Sequence, residues 1–178
     1  MQVTPSLWKS HPISEQSRLL QACRLKFCTI PLDNDGMQMD ILEDKLKELQ
    51  KAHIRPKFVY TVPNFHNPAG VTMTLERRKK LIELAHTYDL LIVEDDPYGE
   101  IRFEGEPIPS LLALSGKDRV VELRTFSKIS FPGLRLGWVV AREDIMNKII
   151  VGKAGGGPLF SGLDPVYIVR VCQPWLAG

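Results

Sequence analysis

Cysteine is scarce: Cys23, Cys28 and Cys172 are the only three in a chain of 178 residues. They are too few and too irregularly spaced for a disulfide scaffold, and an odd count leaves at least one unpaired, so all three read as reduced thiols. Cys23 and Cys28 have no His or Cys partner at the short spacing a metal site requires. Long apolar runs are missing too. The cleanest, Leu90 to Val93 and Trp138 to Ala141, fall far below the roughly 20 residues that span a bilayer. Met1 to Lys9 lacks the basic segment followed by an apolar one that marks a secretory signal, so a cytoplasmic or matrix location is expected. Twenty-three basic residues stand against 21 acidic ones, a net charge of +2, without a block of five or six like charges. That balance does not point to nucleic acid or another polyanion as partner. A nucleotide phosphate loop is excluded as well, because Gly116-Lys117 is followed by Asp118 where Ser or Thr is needed.

What is present is the composition of a soluble globular protein: 44% apolar, 25% charged, with 13 glycines and 13 prolines. At about 150 residues per domain, the length predicts one domain. Residues 1–22 show little periodicity and read as a weakly ordered lead-in, residues 23–157 as the core, and residues 158–178 as an atypical tail. Within the core, Lys26 to Ile30 reads as a strand, and residues 32–36 carry turn chemistry. Asp40 and Glu43 have capping-box spacing, and Leu42, Leu46 and Leu49 repeat at helical intervals, predicting an amphipathic helix through Ala52.

Phe58 to Val62 is the next expected strand, followed by a Pro/Asn/Gly-rich loop over 63–70. Thr74 can cap a helix running to Tyr88, with Leu81, Ala85 and Tyr88 on one side and Glu76 near its positive end. Leu90 to Val93 is continuously apolar, as in a parallel strand covered on both faces, and ends at Glu94-Asp95-Asp96. Arg119 to Arg124 and Leu136 to Ala141 read as two further strands around a polar loop, 125–135. Asp144 can cap a short helix through Ile150, and Gly155-Gly156-Gly157-Pro158 breaks any regular element. Alternating strands and helices predict an α/β fold, a three-layer, mainly parallel sheet. In such sheets ligands bind beyond the carboxyl ends of the strands.

Those ends carry the chemically suggestive residues: Asn67 after one strand, Asp95 and Tyr98 after the next, and Thr125, Ser127, Lys128 and Arg135 after the third. Taken singly each has an ordinary explanation. Lys128 could be a solvated lysine, Asp95-Asp96 a capping pair or magnesium ligands, Asn67-Pro68 a plain turn, Arg135 the partner of an acid, and Tyr98 a packing aromatic. His66 and His86 read as structural or solvated. As a set, they suit a phosphorylated aromatic aldehyde. A lysine amine can form a Schiff base with the aldehyde, Arg and hydroxyls can hold a phosphate, a buried carboxylate can keep a pyridine nitrogen protonated, and Tyr and Asn can hydrogen-bond a ring oxygen.

In this order the motifs resemble the large domain of a fold-type I, class I/II aminotransferase dependent on pyridoxal 5′-phosphate. Tyr60-Thr61-Val62-Pro63 with Asn67-Pro68-Ala69-Gly70 is similar to the family's asparagine segment, Glu94-Asp95-Asp96-Pro97-Tyr98 to its aspartate segment, and Thr125-Phe126-Ser127-Lys128 with Pro132-Gly133-Leu134-Arg135 to its lysine signature. The wording of the second is most similar to the 2-aminoadipate and kynurenine aminotransferase branch. The resemblance covers roughly Lys26 to Gly157. It implies that Lys128 is the cofactor-binding lysine and proton carrier, that Asp95 pairs with the pyridinium, that Tyr98 and Asn67 hold the ring oxygen, and that Thr125, Ser127 and Arg135 grip the phosphate. Catalytic roles are thereby expected for Lys128, Asp95 and Tyr98, with an amino acid and a 2-oxo acid as substrates and a homodimer as the assembly. Family members are longer; a glycine-containing phosphate loop, a ring-stacking aromatic and a small domain with a substrate-binding arginine have no counterpart here, so the chain reads as a fragment. Two other functions use the same residues: a non-catalytic aminotransferase-like domain of a regulator, and another pyridoxal-phosphate enzyme such as a lyase.

Overall fold

The computed structural model describes residues 2–5, 27–116, 118–130, 132–134 and 136–154. Its centre is a six-stranded sheet built from β1 (Gln2–Pro5), β2 (Phe27–Ile30), β5 (Phe58–Thr61), β6 (Leu91–Asp95), β7 (Val120–Thr125) and β8 (Gly137–Val140), in the order β2-β1-β5-β6-β7-β8. Neighbours run parallel except β8, which is antiparallel to β7. The expected parallel character therefore holds with one exception. Among the described residues between β7 and β8 the regular structure is one 3-10 turn, Pro132–Leu134, whereas a parallel connection needs a crossover of about a dozen residues or more, usually helical.

Strand alternation assigns the two faces. Val59, Ile92 and Val120, directly in register across β5, β6 and β7, are fully buried on one face beneath α1 (Met39–Lys51), α2 (Leu75–Thr87) and α3 (Leu111–Ser115). Leu42 and Leu46 of α1, Leu81 and Leu84 of α2, and Leu111 of α3 fill that core, each stabilising the fold by roughly 1.5–3 kcal/mol on full burial. On the other face, Val121, Leu123 and Val139 pack against Met146, Ile145 and Ile149 of α4 (Glu143–Ala154). Helices thus flank both sides, giving the three layers of an α/β fold.

Four local features differ from the sequence expectations. Gln2–Pro5, inside the stretch read as lead-in, forms β1 between β2 and β5; four residues ending in proline are too short to show a period. Helix α1 is capped at Gln38 without a side-chain bond, and Asp40 lies in its first turn, so its charge acts on the helix's positive end and its side chain does not close a capping box. The cause is the hairpin of β3 (Leu32–Asp33) and β4 (Gly36–Met37), which buries Met37 and Met39 and so starts the helix earlier. Arg77 of α2 clamps this hairpin, donating to the Gly36 and Met37 carbonyls and to Asp33. Gly36 has φ +103°, and a Cβ there would meet Met73 Cα at 2.9 Å, so only glycine fits. Helix α3 has no periodic signal, being five residues long. Finally, α4 begins one residue before Asp144, which forms a bidentate pair with Arg142. Cys28 is a half-buried free thiol whose pKa is pushed up by burial; Cys23 and Cys172 lie outside the described residues.

Candidate active site

The parallel register brings Thr61, Asp95 and Thr125 to one edge of the sheet, since Thr61 lies beside Glu94 and Asp95 beside Leu123. The three loops that follow these strand ends carry the residues picked out above, and each loop has its own internal scaffold.

The first loop closes on itself. The Met73 N–H donates to the Pro63 carbonyl, the His66 N–H to Val71, and the Phe65 N–H to Thr72 Oγ1. Phe65 takes a positive φ of 46° and its ring lies under the Arg102 guanidinium, 4.9 Å from the centroid. Asn67, exposed and joined to Pro68 by a cis peptide bond, sits at the tip. The loop's base is held by Arg78, fully buried in α2, which donates to the carbonyls of Met73, Pro63 and Pro109 and to Asn64 Oδ1. Sequence reasoning missed Arg78. Its signal was available, because it shares the face of Leu81 and Ala85, where a charged residue calls for partners. His66 is buried, and its Nδ1 has no partner among the described residues; burial holds its pKa below the usual histidine value, as expected of a structural histidine. His86 is exposed on α2 and accepts from Arg119 Nε.

In the second loop the strand alternation separates three consecutive acids. Glu94 points into the α1–α3 core, is fully buried, and accepts the N–H groups of Leu111 and Leu112 at 2.8 and 3.0 Å, fastening α3 to the sheet. Burial pushes its carboxyl up to about 7, with the two N–H groups acting in the opposite direction. Asp95 faces the other way. The Tyr60 hydroxyl donates to its Oδ2; burial raises the pKa of Asp95 and this hydrogen bond lowers it. Tyr60 is in register with Val93, so it shares a face with Asp95, two residues on. That parity was the signal for Tyr60, and it could be used only once the pairing was known. Asp96, also buried, accepts from the Gly99 N–H at 2.9 Å and pairs with Arg124 at 3.4 Å. Arg124 additionally meets Glu122 at 3.2 Å and Glu100. This fixes the turn that carries Tyr98.

The third loop starts with Thr125, whose hydroxyl donates to the Leu136 carbonyl at 2.9 Å and accepts the Ser127 N–H at 3.1 Å. Phe126 packs on Trp138 of β8 with ring centroids 4.7 Å apart, and the N–H groups of Ile129 and Ser130 return to the Phe126 carbonyl. A single tight turn thus presents Lys128. Its side chain is exposed, and Nζ lies 6.0 Å from the centroid of the Tyr98 ring, the outer limit of a cation–π contact. Lys128 and Tyr98 are therefore brought together across two loops. Ser127 is half-buried beside them in sequence. Arg135 lies outside the described residues. Among the described residues there is no cluster of His, Cys, Asp and Glu fit to hold a metal.

The donor set suits a protonated heteroaromatic aldehyde. A carboxylate that burial destabilises as an anion, and that one hydroxyl already orients, gains from a cationic N–H partner. A lysine side chain beside an aromatic ring can condense with a carbonyl. Thr125 is the exception, since its one hydroxyl hydrogen is committed to Leu136.

A sequence profile of the family described as aminotransferase class I and II matches residues 14–156, and the chain belongs to that family. It is 52% identical over 128 residues to aromatic-amino-acid aminotransferase 1 of Thermococcus litoralis, a match covering 72% of this chain and 31% of that protein. Among solved structures it resembles the multiple substrate aminotransferase of Thermococcus profundus, with TM-score 0.77 and 46% identity over 86% of this chain and 37% of that one. It also resembles the kynurenine aminotransferase of Pyrococcus horikoshii solved in complex with PMP, with TM-score 0.76 and 44% identity over 89% of this chain and 39% of that one. The chain spans about a third of the length of the curated relatives it matches.

Proposed function

We propose that this chain carries the cofactor-holding half of an active site that transfers an amino group from an amino acid to a 2-oxo acid with pyridoxal 5′-phosphate. The observation that carries the reading is the approach of Lys128 to Tyr98 across the loops that follow β7 and β6, the latter strand ending at Asp95, the acid oriented by Tyr60. When bound, the cofactor supplies an aldehyde and a protonated ring that takes up the electron pair left at the substrate α-carbon. Asp95 would hold the ring N–H, its anionic form favoured by that contact and by Tyr60. Lys128 Nζ would hold the aldehyde carbon and, when displaced by substrate, carry the proton removed from the α-carbon. The Tyr98 hydroxyl and Asn67 amide would donate to the ring oxygen. Ser127 and Arg135 would bind the phosphate, Arg through its planar fork, while Thr125 would serve by framing the turn. A cytoplasmic homodimer working in amino-acid metabolism, its core unit spanning residues 23–157, completes the proposal. No helix among the described residues is long and apolar enough to cross a membrane.

The test is chemical. The protein is mixed with pyridoxal phosphate, reduced with borohydride and digested, and the labelled peptide is mapped. Label on Lys128 is the expected result; label elsewhere, or none, overturns the assignment. Adding an amino acid to the unreduced mixture should then bleach the visible absorption. Retention of that band would mark a domain that holds the cofactor without turning over.

A further inference from the structure

At the opposite edge of the sheet, where β5, β6 and β7 begin, the chain surrounds an open cavity of about 780 Å³. The distance along β6 from this edge to Asp95 is about 13 Å at 3.3 Å per residue, so the cavity is separate from the candidate active site. Topology concentrates charge on it. Arg55 and Lys57 immediately precede β5, and Arg119 immediately precedes β7. Because β8 runs antiparallel, Arg142, just past its end, returns to the same edge, and Lys148 reaches the cavity from α4. These five cations share the cavity wall with two carboxylates, Asp89 and Asp118.

The existing ion pairs reduce that excess without removing it. Asp89 is divided between Arg55 and Arg119, and Arg142 takes its partner, Asp144, from outside the lining at 2.6 Å. No ion pair among the described residues involves Lys57 or Lys148; the paired lysines are Lys45, Lys47 and Lys80. His86 also lines the cavity. Its Nδ1 accepts from Arg119 Nε at 3.2 Å, which puts the ring proton on Nε2. The guanidinium groups are therefore pre-oriented by their acids, with two flexible ammonium groups alongside them, a combination suited to several adjoining anionic oxygens.

We propose that this cavity binds a small polyanion built of linked phosphates, either inorganic or as the tail of a nucleotide. The near-neutral balance of the whole chain conceals the site, because the cations converge only when the strands pair. A ligand with one charge would gain little from exposed partners, whereas linked phosphates meet several cations at once.

Calorimetric titration of the chain with inorganic tripolyphosphate at low salt tests the proposal, with ATP as a second ligand and sulfate at matched ionic strength as a control. Saturable tripolyphosphate binding that weakens with salt is expected. The double variant Lys57→Glu/Lys148→Glu, both exposed positions whose folding is checked by circular dichroism, should bind at least about tenfold more weakly. Lys128→Ala should bind like the parent, which keeps this site distinct from the cofactor reading above. ATP binding equal to tripolyphosphate assigns recognition to the phosphates alone, and tighter binding adds the nucleoside. Absent saturation, sulfate binding of equal strength, undiminished binding by the double variant, or loss of binding in Lys128→Ala would each overturn the proposal.

Discussion

The Tyr60 hydroxyl donates a hydrogen bond to Asp95 Oδ2, joining the ends of two adjacent parallel strands on the sheet face opposite Glu94. The contact favours the anionic acid against the burial that disfavours it. Tyr60→Phe removes the donor without changing the ring. A hydrogen bond to a charged group contributes roughly 1.5–3 kcal/mol, so pyridoxal phosphate should bind about 10- to 100-fold more weakly. Absorbance titration of the cofactor measures this, and an unchanged dissociation constant would show that Tyr60 does not act on Asp95.

Glu94 gives the fold a pH dependence of known sign. Its folded-state pKa of about 7 lies above the ordinary value of 4.5, so the folded chain binds more protons in that interval and stability falls as pH rises from about 4.5 to 7. His66, with a lowered pKa, acts in the opposite direction below its ordinary value, so the parent profile alone is a mixture. The difference between parent and Glu94→Gln isolates the acid. Urea unfolding at pH 5 and pH 8 should show the parent's advantage over Glu94→Gln shrinking by up to about 3 kcal/mol. A difference independent of pH would mean that Glu94 does not titrate in this range.

Arg78 ties the Asn67 loop to the segment before α3, through the carbonyls of Pro63, Met73 and Pro109. Arg78→Ala strips these donors from the Met73 and Pro109 carbonyls and from the buried Asn64 Oδ1, leaving Pro63 only its bond from the Met73 N–H, and should cost about 3 kcal/mol or more. Arg78→Lys should recover only part of this, because one ammonium cannot reproduce the fork. Both are read from urea midpoints. A lysine variant as stable as the parent would show that the charge alone matters.

Gly99 sits against the Asp96 carboxylate, where an added Cβ would overlap both carboxylate oxygens. Gly99→Ala should therefore displace Asp96 from the Gly99 N–H and from Arg124, destabilising the turn by about 1–3 kcal/mol. Amide hydrogen exchange over residues 96–101 should quicken while α1 and β5 keep their protection. Unchanged exchange in that turn would refute the packing argument.

Much of this architecture was legible because it repeats. Leu42, Leu46 and Leu49 gave α1 its buried face, and the unbroken apolar run at Leu90 to Val93 marked an interior strand. The positions of Asp95, Tyr98 and Lys128 at or just beyond strand ends were legible from the apolar runs that precede them. What escaped depends on contacts between distant residues. Tyr60 is tied to Asp95 by a pairing register, and α3 is tied to Glu94, 17 residues upstream. The direction of β8 depends on how little helix separates it from β7, and the basic cavity on which ends of the strands lie together.

Glu94 and Asp95 are neighbours in sequence that face opposite sides of one strand. A slip of β6 by a single residue would trade their places, turning Glu94 toward the α4 side of the sheet and Asp95 into the α1–α3 core. Strand phase is therefore as much a component of the proposed site as any side chain, and substitutions at the start of β6, remote from Asp95 itself, have a direct means of disrupting it.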